Sequence, residues 1–453
     1  PYLYYPWSTN NMEILIVFAV GIVSGVLAGI LPGIGGAVIM TLAFPILMTL
    51  DPVSILVFYM TMASVDQFFN GVTAIVLGVP GSGMNIPTQI EGHKLFKEGK
   101  GDEAIMFSAV GSYIASMFAM LLVICLLPVL WGIYGIWTST LQSILLSTAA
   151  IVLILVSRNY KIISFVLFGL GGALGQVGYS EERGTSFMTF GADMLYSGIP
   201  ILPVLVSLFV IPVLLKSYID KGGSFYFPGV DFRGYIQTLK NMKHMTTTLI
   251  RSCGLGSIGG LVPGMSFGFS SLLAYVTERW VRTRAGKYRE GDMPCLVACE
   301  SANNAGVFTQ MVPLLFLGIP ITASEAIIYN ILEARGLPVD IEWFRSTFLT
   351  VLGFFFISST VGLILAAKYV NGLKILNGLK LSTVYSGVIL ALVLILWQTG
   401  VANYSGLDHL YIALALLPFG LLFTRLDTTP LIFGFLLSEP LLDNLKRILV
   451  IYF

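Results

Sequence analysis

Between Met12 and Leu50 lie 39 residues that are almost wholly apolar, interrupted by the stretch GILPGIGG at residues 29–36. As one helix this segment would be about 58 Å long, nearly twice the ~30 Å hydrocarbon thickness of a bilayer. The chain is therefore expected to turn back, and Pro32-Gly33 is the natural bend. A bend leaves main-chain N–H and C=O groups without helical partners. Facing lipid, each would cost several kcal/mol, so the corner must be enclosed by protein or line a cavity.

Composition supports the membrane premise. Hydrophobic residues make up 56% of the chain and charged residues 11%, against roughly 25% charged in soluble domains. The expected fold is an all-α polytopic membrane protein of roughly 12 transmembrane segments plus re-entrant or broken helical hairpins. No stretch reads as a soluble domain. A net charge of +1 argues against nucleic acid or a strongly acidic partner, which demand a clustered basic face. Cys125, Cys253, Cys295 and Cys299 all sit in apolar runs and are expected as small buried hydrophobes rather than disulfides or zinc ligands. The opening PYLYYPWSTNNMEILIV lacks a basic n-region, so the first apolar segment is expected to be retained as a span.

The opening motif has a second copy. GVLAGILPGIG (Gly25 to Gly35) matches GSIGGLVPGMS (Gly256 to Ser266), with Gly25, Gly29, Pro32 and Gly33 on Gly256, Gly260, Pro263 and Gly264. Further on, NGVTAIVLGVPGS from Asn70 resembles AGVFTQMVPLLFLGIPIT from Ala305, if five residues are inserted before Leu317. Cytoplasmic loops collect Lys and Arg. Nothing before Lys94 is Lys or Arg, whereas the second copy is flanked by Lys240, Lys243 and Arg251, then by Arg279, Arg282, Arg284, Lys287 and Arg289. Downstream the bias reverses, with Lys94, Lys97 and Lys100 in the first copy against Arg335 in the second. These flanks predict two inverted-topology repeats, residues 1–215 and 240–453, joined by a cytoplasmic linker at 216–239.

Candidate site residues cluster at the two corners and the two elements that follow. Freed backbone at Pro32, Gly33 and Gly35, and at Pro263, Gly264 and Ser266, can meet a small anion through half-helix N-termini or a cation through carbonyls. The second elements carry Asp66, Asn70, Gly71 and Thr73, and Glu300, Ser301, Asn303 and Asn304, in otherwise apolar surroundings. Polar groups so placed are costly unless used. Neutral donors suit a carboxylate and short runs of oxygens suit a hard cation such as sodium, so the first set is assigned to substrate and Asp66 and Glu300 to ion coupling. Pro80, Gly81 and Ser82, and Pro320, Thr322 and Ser324, are expected to open a helix again and to cap or bind at the break. The plainer readings are small-residue packing seams and interhelical hydrogen bonds.

Two motifs mislead. GLGSIG (Gly254 to Gly259) and GMSFG (Gly264 to Gly268) satisfy a dinucleotide and a nucleophile-elbow pattern, but neither has the strand it requires, and His93, His244 and His409 all lie elsewhere. No phosphate-binding G-x-x-x-x-G-K-[ST] occurs. No enzymatic activity or cofactor is expected beyond a coupling sodium ion or proton.

The stretches GVLAGILPGIG, GVPGSGMNIPTQIEGHKLFKEG, SFMTFGADMLYSGIP, GGLVPGMSFGFSSLLAYVTE and CESANNAGVFTQMVPLLFLGIPITASEAIIY resemble the large transmembrane subunit of tripartite tricarboxylate transporters, the TctA type. That resemblance implies a multi-pass protein of the bacterial inner membrane importing carboxylates. It implies a small four-helix membrane subunit and a periplasmic solute-binding protein as partners, sodium or proton coupling and an elevator-like motion. A homodimer of complexes is left open. The competing reading is a passive anion channel built from re-entrant hairpins.

Overall fold

The computed structural model describes residues 11–79, 85–134, 139–157, 159–180, 184–221, 223–230, 240–262, 267–336, 341–402 and 406–452. The chain is an all-α, multi-pass membrane protein. Among the described residues six helices are long and apolar enough to cross a bilayer: Asn11–Ile30, Pro52–Leu77, Gly101–Val129, Ile201–Ile219, Arg345–Leu376 and Leu381–Val401. Shorter apolar helices accompany them, and β1 (Gly178–Ser180) pairs antiparallel with β2 (Thr185–Phe187).

Helix α1 (Asn11–Ile30) ends at the Pro32-Gly33 bend and α2 (Gly36–Leu47) starts beyond it. Gly33 takes φ +81°, a left-handed value that side chains resist. The chain does return: Glu13 at the start of α1 accepts from the Asp51 amide at 3.0 Å. Asp51 in turn caps α3 (Pro52–Leu77), accepting from Val53 N. With the return complete, α3 runs parallel to α1. Gly21 faces Phe58 and Thr61, Gly25 faces Met62 and Val65, and Gly29 faces Asp66 and Phe69. The glycine seam is thus what lets α1 lie against α3 at backbone distance.

Helices α4 (Ile86–Lys97), α5 (Gly101–Tyr134), α6 (Ser139–Val156) and α7 (Lys161–Gly175) complete this part. Helices α8 (Ile201–Leu205) and α9 (Ile211–Lys221) are joined through a π-turn at Val206–Val210. The helix therefore runs on into the expected linker. Within that linker Phe225 and Phe227 are buried, and Phe227 N and Val230 N donate to Asn377 and Asn371.

The element order then recurs in α10 (Thr246–Leu261), α11 (Phe267–Arg284), α12 (Met293–Thr309), α13 (Met311–Leu317), α14 (Ala323–Ala334) and α15 (Ile341–Ile364). Gly256 and Gly260 face Ala302 O and Gly306 O as Gly25 and Gly29 face Met62 O and Asp66 O. Leu77 and Leu317 both end their helices at a left-handed glycine, Gly78 (φ +63°) and Gly318 (φ +66°). A single register therefore aligns α3 with α12–α13, and the five-residue insertion expected from sequence is absent. Asp66, rather than Gly71, stands where Gly306 stands.

Helices α16 (Leu381–Ala402), α17 (Asp408–Leu422) and α18 (Thr429–Tyr452) end the chain. Here the two halves exchange partners. Gly171 and Gly175 of α7 lie on Leu431, Phe435 and Ser438 of α18, whereas Gly420 of α17 lies on Ser207, Leu208 and Pro212 of the α8–α9 rod. One expectation fails: Cys253, Cys295 and Cys299 are buried, but Cys125 is exposed, because it falls on the outer face of α5 with the exposed Leu121 and Ile124.

Candidate functional site

Every residue of α3 from Pro52 to Val76 and of α12 from Cys295 to Thr309 is buried. These two helices are the enclosed centre, and they carry the polar residues singled out above. They cross antiparallel: Gln310, between α12 and α13, reaches Tyr59, Asn303 reaches Gln67, and Glu300 lies against Gly71. A methyl group on Gly71 would meet Glu300 Oε2 at 2.5 Å, so the missing side chain there is what admits the carboxylate.

Asp66 (7% exposed) accepts from Asn70 Nδ2 at 2.8 Å and from Gln67 Nε2 at 3.2 Å. Asn303 Nδ2 donates to Gln67 Oε1 at 2.5 Å, extending the chain across the crossing. At its two ends Asn70 Oδ1 and Asn303 Oδ1 are buried without a hydrogen-bond partner, as is Ser301 Oγ. Glu300 accepts from Thr88 Oγ1 and from Ser108 Oγ at 3.0 Å. Asn304 Nδ2 donates to Ser112 Oγ (2.7 Å) and to Glu300 O (3.1 Å), and Thr73 Oγ1 donates to Gly29 O (2.9 Å). The Thr73 hydroxyl and the Asn304 amide nitrogen are thus engaged with neighbouring groups, while Asn70, Ser301 and Asn303 keep spare polar atoms. Neither buried carboxylate has a Lys, Arg or His partner among the described residues.

The first corner adjoins this centre. Pro32 O is taken by Tyr385 OH at 2.7 Å, and Gly33 sits on Ser217. Gly35, by contrast, faces open space, and it heads α2 without a side-chain cap. The first amides of α2 are thus free of a side-chain competitor. Beside them, Gly36 lies next to Ser324 Oγ and Met62 Cε, so the corner in the first half meets the break in the second. At that break the helix stops at Leu317, Pro320 falls in the non-helical stretch, and Thr322 starts α14 with a reciprocal capping box to Glu325. Pro80, Gly81, Ser82, Pro263, Gly264 and Ser266 lie outside the described residues.

Several members of the site carry no expectation from sequence. Glu325, Tyr59, Gln310, Gln67, Thr88 and Ser108 all contribute buried polar atoms to the crossing. Thr322-Ala-Ser-Glu325 spells a capping-box pattern, which was the available signal for Glu325. The others have no local signature. Midway along α4, Glu91 is fully enclosed and accepts from Tyr275 OH, Tyr288 OH and the Gly291 and Asp292 amides. There, outside the spans, burial first and the Glu91 carboxylate second push the Tyr288 phenol above its ordinary range. A separate cavity of about 360 Å³ between α7 and α18, lined by residues such as Phe168, Phe187 and Leu441, shares no residue with the crossing.

Residues 15–433 match the family described as tripartite tricarboxylate transporter TctA. A protein of Agrobacterium vitis from the TAR-I ttuC' 3' region is 26% identical over 95% of this chain and 86% of its own length. A second Agrobacterium vitis protein, from the TAR-II ttuC' 3' region, is 26% identical over 43% of this chain and 81% of its own length. An uncharacterized protein of Methanocaldococcus jannaschii is 25% identical over 48% and 53%. No solved structure matches the chain.

Proposed function

Since the chain belongs to the tripartite tricarboxylate transporter TctA family, we propose that it is the large membrane subunit of a binding-protein-dependent secondary carrier. It imports di- or tricarboxylates across the bacterial inner membrane, driven by a sodium or proton gradient. A small four-helix membrane subunit and a periplasmic solute-binding protein complete the complex.

The observation that carries this reading is the pair of buried carboxylates, Asp66 and Glu300, each held only by neutral donors. A bare carboxylate removed from water costs several kcal/mol, so a proton or a cation must accompany it. Two such groups at one crossing tie occupancy of the core to an ion. The start of α2 has no side-chain cap, and space is open beside Gly35, so the complementary site for a substrate carboxylate is assigned to this helix start. The antiparallel crossing of α3 and α12, each with its own parallel glycine-seamed helix, supports an inverted pair of repeats. In that geometry alternating access comes from moving one group of helices against the other, an elevator-like displacement.

Proteoliposomes containing the chain, the small subunit and the binding protein test the reading. Uptake of labelled dicarboxylates and tricarboxylates is expected to saturate, to require the binding protein and to follow an imposed sodium or proton gradient. Exchanging Asn70 or Asn304 for Leu is expected to abolish uptake in protein that still elutes as a folded species. Flux that neither saturates nor needs the binding protein would make the chain a channel; uptake with both gradients collapsed would end the coupling claim.

A further inference from the structure

We propose that Glu325, with Tyr59 and Gln310, forms a further cation-coupling site besides Asp66 and Glu300, one that takes a single positive charge, a sodium ion or a proton, on its carboxylate. The proposal rests on the carrier reading above.

Glu325 is fully enclosed. Its Oε2 accepts from Ile321 N at 2.6 Å and Thr322 N at 3.1 Å, and its Oε1 accepts from Tyr59 OH at 3.3 Å. All three donors are neutral, and no Lys, Arg or His among the described residues pairs with it. It therefore stands in the same uncompensated state as Asp66 and Glu300.

A second observation points to an absent ligand. Gln310, 1% exposed, donates Nε2 to the same Tyr59 oxygen at 3.3 Å, yet its Oε1 has no partner. The enclosed amide oxygen belongs to a side chain that shares the Tyr59 phenol with the Glu325 carboxylate, and it is an acceptor that a hard cation or a carboxylic O–H would satisfy. A capping box needs the bonds between the Thr322 amide and the Glu325 carboxylate and between the Glu325 amide and the Thr322 hydroxyl, and gives no use to that oxygen.

The third observation is positional. In the register that aligns the two halves, Tyr59 of α3 stands where Cys299 stands in α12. Helices α4 and α14 are both 12 residues long, and matching their caps, Asn85 with Thr322, sets Thr88 where Glu325 stands. Thr88 meets Cys299 Sγ at 3.4 Å and bonds Glu300. The Tyr59–Glu325 and Cys299–Thr88 contacts are thus one contact between the halves made twice with the roles of the halves exchanged, and each involves one acid. At one contact the acid, Glu300, comes from the long helix, and at the other, Glu325, from the short one. Ser324 against Gly36 also sets the Glu325 site beside the first corner.

Glu325→Gln keeps an oxygen for the Ile321 and Thr322 amides, so the cap survives while the charge is removed. The charge moved per carboxylate is measured from reversal potentials in proteoliposomes of the whole complex, for wild type, E325Q and E300Q, under separate sodium and proton gradients. E325Q is expected to move one elementary charge fewer than wild type, as is E300Q, and the gradient whose contribution to the reversal potential falls identifies the ion. If E325Q does not transport, ²²Na⁺ binding and proton uptake by the purified chain in detergent are expected to show one site fewer than wild type. An unchanged stoichiometry and unchanged binding in E325Q, with E300Q altered, would reduce Glu325 to a helix cap and leave the carrier reading intact. No change in either variant would overturn both.

Discussion

Replacing Gly29 by alanine tests whether the α1–α3 seam sets the position of the polar centre. A methyl group there would lie 2.6 Å from Phe69 Cβ and 2.7 Å from Asp66 O. Carbon contacts settle at about 3.5–4.0 Å, so the helices must part by about 1 Å. Overpacking of that size costs about 1–3 kcal/mol. At Gly21 the nearest atom, Thr61 Cβ, is 3.0 Å away, the required shift is about half as large, and the cost falls to about 1 kcal/mol. Gly35 is the control: nothing lies within 4 Å and its φ is −82°, so alanine is expected to be neutral or to stabilise by up to about 1 kcal/mol. Denaturation of the solubilised variants should rank G29A below G21A and G21A below G35A. Equal midpoints for G29A and G35A would refute the seam as the element that positions Asp66.

Thr322→Ala removes one half of the capping box and is expected to cost about 1 kcal/mol, read as a lower denaturation midpoint; an unchanged midpoint would mean that the bonds from Glu325 hold the turn alone. For Tyr288, a phenol raised in the folded protein contributes stability that is present below its unfolded value of about 10 and is lost as pH rises through the folded value. The wild-type midpoint is therefore expected to fall as pH is raised above about 10, and to fall less steeply in Y288F. A steeper fall in Y288F would contradict the bond to Glu91.

The bend at Pro32-Gly33 and the break around Pro320 were legible because proline carries its backbone preference wherever it occurs, whereas the helix ends two residues earlier, at the left-handed Gly78 and Gly318, were not read. The crossing was partly legible, since a polar residue in an apolar run stands out: Asp66, Asn70, Glu300 and Asn303 all converge there. Register was not legible to the residue. Apolar helices offer many near-equivalent alignments, and only the carbonyls touched by Gly25, Gly29, Gly256 and Gly260 distinguish Gly306 as the partner of Asp66 rather than of Gly71. Tyr59 and Gln310 escaped notice for a related reason. Each is an ordinary membrane residue until the fold brings it against Glu325.

The exchange of helices at the end of the chain has a consequence for biogenesis. Helices α6 and α7 enter the bilayer early, but the rod that fills the groove on Gly171 and Gly175 begins at Thr429, more than 250 residues later. Until α18 leaves the ribosome that groove is open to lipid or to an assembly factor, and the early half stays unfinished. Fragments cut at the connecting segment would therefore each carry a vacant berth that only the other can fill, so co-expression should restore what neither piece folds alone.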